Sequence, residues 1–125
     1  MSLTHFEVIT LFVPDVTVAR DFYRTVFEVD EVFGDDNSAV LAFSGTMVNL
    51  LADSQAPGLM APVPVASSGN RMLMTIRVAD VRAECERLAS LGVELLNGPI
   101  DRPWGRRTAS FADPAGYVWE LAQEI

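Results

Sequence analysis

The chain has 125 residues, 50% of them hydrophobic and 21% charged, with 9 basic against 17 acidic side chains and a formal charge of -8. That length holds one domain that buries roughly two-thirds of the surface its unfolded form exposes, so folding requires neither metal nor disulfide. The acidic balance argues against nucleic acid, whose phosphates must be neutralised by Lys and Arg. It favours a cationic small molecule, although acidity also serves solubility alone.

Cys85 is the only cysteine, so no intrachain disulfide forms and a reducing, cytoplasmic setting is expected. No apolar run approaches the ~20 residues that span a bilayer, and no membrane partner is expected.

In chain order, Leu11–Val16 (LFVPDV) reads as a strand running into a helix. Val16, Ala19, Phe22, Tyr23 and Val26 then recur at spacings of three and four, which places them on one helical face. Strand-like runs follow at 29–33, 39–43 and 46–51, separated by the turn-forming segments Gly34–Asn37 and Ser44–Gly45. Residues 53–70, rich in Pro, Ala, Ser and Gly, carry no clean periodicity and read as a linker. The opening pattern then returns at an offset of 65 residues as Ile76–Val81 (IRVADV). Val81, Cys85, Leu88 and Leu91 mark its helix, and Gly92 closes it. Strands are expected at 93–96, 106–111 and 117–122, with Asp113–Gly116 as the last turn. Asp15 and Asp80 stand where a carboxylate caps a helix start. The reading is an α+β fold of two β-α-β-β-β modules, 1–52 and 71–125, joined by the linker.

Several segments carry a family resemblance in this order: Leu11-Phe-Val-Pro-Asp15, Phe22-Tyr-Arg24, Arg102-Pro-Trp-Gly105 and Phe111-Ala-Asp-Pro-Ala-Gly-Tyr-Val-Trp-Glu-Leu121. Together they resemble the vicinal oxygen chelate superfamily of glyoxalases, extradiol dioxygenases, fosfomycin-resistance enzymes and bleomycin-resistance proteins. The resemblance covers nearly the whole chain. It implies a curved mixed sheet around a cleft, and a homodimer. One departure is local: the family usually places Gly after the first helix, where this chain has Phe27-Glu28. A non-Gly residue takes the left-handed conformation only at a cost, so a different helix end is expected.

In metal-dependent relatives the resemblance implies four ligand positions, which map onto Val8, Asn49, Leu73 and Glu120. Val8 and Leu73 carry no donor atom, and the chain's only histidine, His5, falls three residues from Val8, on the opposite face of a strand. No metal and no cofactor are therefore expected. Strand alternation from those positions gives the cleft lining: Phe6, Val8, Thr10 and Phe12; Met47, Asn49 and Leu51; Leu73, Thr75 and Arg77; and Glu120. Trp104, between Pro and Gly, is expected in a loop, which the resemblance implies lies near the cleft mouth. Met72, Met74 and Trp119 are expected in the core.

Such a lining is apolar and aromatic with sparse polar groups, as in a small-molecule pocket. Phe6 and Phe12 either stack on a planar ligand or pack on each other. Glu120 either pairs with Arg77, meets a ligand or is solvated at the rim. Three functions follow. The leading one is a metal-free binder of an amphipathic antibiotic or metabolite. The second is a lyase, isomerase or dioxygenase-like enzyme acting on a small oxygenated metabolite, with Glu120 as catalytic base or residual metal ligand. The third is an interaction module whose cleft its own side chains fill. Serine or cysteine hydrolase chemistry fails because only His5 is available and Cys85 is expected buried.

Overall fold

A computed structural model describes residues 3–125, so the first two positions of the first module lie outside the described residues. The chain divides into two compact units, Met1–Ser67 and Ser68–Ile125.

In the first unit, β1 (Val8–Val13) leads into α1 (Val16–Phe27), followed by β2 (Asp30–Gly34), β3 (Ser38–Phe43) and β4 (Thr46–Ala52). The strands form one mixed sheet in the order β1-β4-β3-β2, with β1 parallel to β4 and the remaining pairs antiparallel. Asp15 accepts a hydrogen bond from the Val18 N–H at 3.1 Å, satisfying a donor that the first turn leaves free. The α1 face of Val16, Ala19, Tyr23 and Val26 is buried, as is the sheet set Leu11, Val13, Ala39, Leu41, Val48 and Leu50. Each such aliphatic side chain contributes roughly 1.5–3 kcal/mol through burial. Tyr23 stacks on Phe27 at 5.2 Å, and Phe27 meets Phe43 edge-on at 5.4 Å. Arg20 ties the helix to the β2–β3 hairpin, donating to Glu31 at 3.0 Å and to the Asp35 and Ser38 carbonyls at 3.3 Å.

The first helix ends as a glycine would end it, contrary to expectation. Glu28 itself adopts φ 55, ψ 35, the left-handed conformation. The expected linker is also partly ordered. Residues Asp53–Gln55 form a short 3-10 turn and Ala56–Met60 a short helix, α2, whose early Pro57 suits a first turn.

The second unit repeats the plan with β5 (Met74–Arg77), α3 (Val81–Ser90), β6 (Leu95–Arg102), β7 (Arg106–Ala112) and β8 (Val118–Glu124). Its sheet order is β5-β8-β7-β6, with β5 parallel to β8. The start of α3 is held twice: Asp80 accepts from the Ala83 N–H at 3.1 Å, and Gln123 of β8 accepts from the Val81 N–H at 2.9 Å. The core here is Met74, Val81, Leu88, Ala109, Phe111, Trp119 and Leu121. Met72, expected beside them, is exposed because it lies before β5.

The largest boundary difference is β6, which runs six residues beyond the expected Leu96. Its register against β7 shifts between Leu95 and Asn97 and again between Asn97 and Ile100. Gly98 makes that path possible: at φ 94 it passes so close to β7 that a Cβ would stand 2.6 Å from the Ala109 Cα. The Asp113–Gly116 turn forms as read. Asp113 is buried and accepts from the Ala115 and Tyr117 N–H groups, both at 2.9 Å.

Candidate functional site

The expected lining residues that lie within strands fall on two sheet faces, one in each unit. In the first unit the parallel register places Val8 beside Met47, Thr10 beside Asn49 and Phe12 beside Leu51. All six therefore share the face opposite α1. Most of that face is only half-buried, whereas Leu11, Val13, Val48 and Leu50 on the other side are fully buried. Phe6 is placed differently from expectation. It precedes β1 and is 70% exposed, so it is no strand residue. His5 is likewise exposed and outside the strand.

The same face gains residues that the sequence reading left out. Val40 pairs with Asn49 and Ala42 with Met47 across β3–β4, while Phe33 pairs with Val40 and Asp30 with Ala42 across β2–β3. The signal for the β3 pair was present, because the two-residue Ser44–Gly45 turn fixes the hairpin register. The β2 pair was hidden by a register shift between Glu31 and Phe33.

At the middle of this face stands Asn49, flanked by Thr10 and Val40 across the ladder and by Met47 and Leu51 along the strand. Its Oδ1 is buried and meets no hydrogen-bond donor among the described residues. A buried acceptor left unmet costs about 1–3 kcal/mol. The first unit also carries most of the charge. It has two arginines against nine acidic residues, net -7, whereas the second has seven against eight, net -1.

In the second unit Thr75 lies beside Glu120 and Arg77 beside Ala122. The Thr75 hydroxyl donates to Glu120 Oε1 at 3.0 Å. Of the alternatives open for Glu120, the pair with Arg77 does not form among the described residues. Arg77 instead meets Glu124 Oε1 at 2.9 Å, with Arg106 at 3.7 Å from the same oxygen. The register explains this, because Ala122, the direct neighbour of Arg77, leaves the guanidinium to choose between carboxylates on either side. Leu73 stands one residue before β5 and is 53% exposed. Trp104 is 68% exposed at the tip of the β6–β7 turn, which the Gly105 N–H closes onto the Arg102 carbonyl at 3.1 Å.

Cys85 is half-buried rather than buried, and burial, reinforced by the nearby Glu84 charge, pushes its thiol up. A hollow of about 430 Å³ lies beside the end of α1, lined by Asp21, Arg24, Thr25, Glu28 and Val29, none of which the sequence reading singled out.

The four implied metal positions do not fit a metal. Val8 and Leu73 are hydrocarbon, Asn49 has only a neutral amide oxygen to give, and Glu120 is engaged by Thr75. Among the described residues no three His, Cys, Asp or Glu side chains gather where they would hold an ion.

Two β-α-β-β-β units, each opening one sheet face away from its helix, define a glyoxalase-like fold. A model of the Glyoxalase/Bleomycin resistance protein/Dioxygenase superfamily matches residues 3–121, and the chain belongs to that superfamily. An uncharacterized protein from Mycobacterium bovis is 32% identical over 122 residues, covering 92% of this chain and 80% of its own. Among solved structures, a glyoxalase-related enzyme from Fulvimarina pelagi shares 26% identity at a TM-score of 0.85, covering 98% of this chain and 89% of that one. TnmS3, an antibiotic binding protein from a Streptomyces species, shares 28% identity at a TM-score of 0.77, covering 100% and 99%. No helix among the described residues is long and apolar enough to cross a membrane.

Proposed function

We propose that this chain is a metal-free binder of an amphipathic small molecule, which lies on the Asn49 face of the first sheet. The observation that carries the reading is the unmet Asn49 oxygen in the middle of a half-exposed apolar face. Apolar walls with one unsatisfied polar group supply affinity and orientation together. The Val8 and Leu73 side chains support a metal-free site, since neither can replace a lost ligand. Similarity to a protein described as antibiotic binding supports the same class of function.

The test is a thermal-shift screen with antibiotics and aromatic metabolites, alongside elemental analysis of the purified protein. Stabilisation by a subset of compounds, lost in Asn49→Ala, is the expected result. One tightly held transition metal per chain would overturn the reading.

A second reading, an enzyme using Glu120, is favoured by the hydroxyl that orients its carboxylate. Turnover abolished by Glu120→Gln with the fold intact would select it. The working state is proposed to be a cytoplasmic homodimer, and light scattering at the monomer mass would remove that part.

A further inference from the structure

The open face of the first sheet has a chemical polarity of its own. Its side chains stand in rows across the ladder. Phe33, Val40, Asn49 and Thr10 form one row, and Asp30, Ala42, Met47 and Val8 form the next. The face therefore offers one unmet acceptor at its centre and one carboxylate at its β2 edge, and none of these eight side chains is cationic. Asp30 is exposed and forms no ion pair or side-chain hydrogen bond among the described residues. Strand and residue spacings put the two groups roughly 12 Å apart. Phe33, 56% exposed, stands on the same β2 edge as Asp30.

Charge adds a second argument. An acidic surface kept only for solubility has no reason to favour one half of a chain. Here -7 of the formal -8 falls on the unit that carries this face. A cation approaching it is drawn in, and at physiological salt the attraction acts over about 8 Å.

We infer that the ligand of this face is a planar amphipathic cation that carries an N–H or O–H donor, with the donor on Asn49 and the cationic group toward Asp30. This rests on the small-molecule reading and narrows it to a ligand class. A ligand lacking the donor leaves the Asn49 oxygen unmet, so donor recognition is selective as well as attractive. Asn49 is half-buried as a residue and its terminal torsion is broad, so the amide rotates to meet a donor on the face.

The experiment uses three related fluorophores. Dansylcadaverine has a planar naphthalene, a sulfonamide N–H and an ammonium at the end of a flexible pentyl chain. Its N-methyl sulfonamide lacks the donor, and dansyl pentylamide lacks the charge. Fluorescence titration of the wild-type protein should show the parent binding about 3- to 10-fold tighter than the N-methyl compound. That preference should vanish in Asn49→Leu, whose fold circular dichroism verifies. The parent should also outbind the uncharged analogue at low salt, by a margin that shrinks at high salt and in Asp30→Asn.

Equal binding of the parent and the N-methyl compound, or a preference that survives Asn49→Leu, overturns the donor assignment. Equal binding of charged and uncharged analogues at low salt overturns the charge assignment. In either case the face still binds small molecules. Failure of all three to bind overturns this inference, while the small-molecule reading stands or falls with the broader thermal-shift screen.

Discussion

Replacing Asn49 with leucine keeps the side chain at the same number of heavy atoms and removes an acceptor that finds no donor. Of the flanking groups, Val40, Met47 and Leu51 are apolar and Thr10 carries a methyl beside its hydroxyl, so a leucine meets mostly partners of its own kind. Relief of the unmet acceptor is worth about 1–3 kcal/mol. For a chain of this size each kcal/mol moves the thermal midpoint by about 3–5 °C. Asn49→Leu should therefore raise the midpoint by roughly 3–15 °C, with the same stabilisation in urea and no change in the denaturant slope. The assay is unfolding followed by circular dichroism, by heat and by urea, on both proteins. An unchanged or lowered midpoint would refute the reasoning, because it would mean that the oxygen is satisfied in solution. A residue that weakens the fold is kept when binding needs it, so the more stable variant should be the poorer binder.

Other expectations follow from the same geometry. Glu28→Gly should stabilise the protein by about 0.5–1 kcal/mol by relieving the left-handed backbone, whereas Glu28→Ala should not, and a pair of melting curves distinguishes them. Asp113→Ala removes a buried carboxylate that accepts from two part-buried turn N–H groups and should cost about 1–3 kcal/mol in urea unfolding. Asp35 and Asp101 both sit below the usual carboxylate range, Asp35 through the Asn37 N–H that it accepts and Asp101 through the Arg107 guanidinium. A depressed folded-state value means stability that is present above about pH 4 and lost as pH falls through the lowered values. The Asp35→Asn, Asp101→Asn double variant should therefore lose less stability between about pH 5 and about pH 2 in urea titrations. Gly98→Ala should open the β6–β7 ladder, read as faster amide exchange at Thr108 and Ala109.

Much of the architecture was legible because it is written in local chemistry. The repeated strand-to-helix entries at Asp15 and Asp80, the apolar spacing of α1 and the Asp113 turn each specify their own geometry without help from distant residues. The β6 path was not legible, since its length depends on how Gly98 lies against Ala109 across the ladder. Partner choice was harder still. Parity put Arg77 and Glu120 on one face, but only the register between β5 and β8, some 45 residues apart in the chain, and the reach of β8 to Glu124 decide which carboxylate the guanidinium meets. Phe6 and Leu73 were misplaced for a related reason: alternation assigns a face only while the strand lasts, and both residues lie before their strands begin. The unmet Asn49 oxygen has no signature in sequence at all, because satisfaction depends on every neighbour at once.

The last residues of the chain are fastened at two separate places. Gln123 corks the start of α3, and the Ile125 N–H donates to the Gly105 carbonyl at 3.1 Å, next to the Trp104 turn. Trimming these residues would fray a helix and slacken a hairpin tip at the same time. A reporter placed close to these residues would disturb both anchors, so one placed elsewhere is the sounder choice for measuring how the exposed indole behaves.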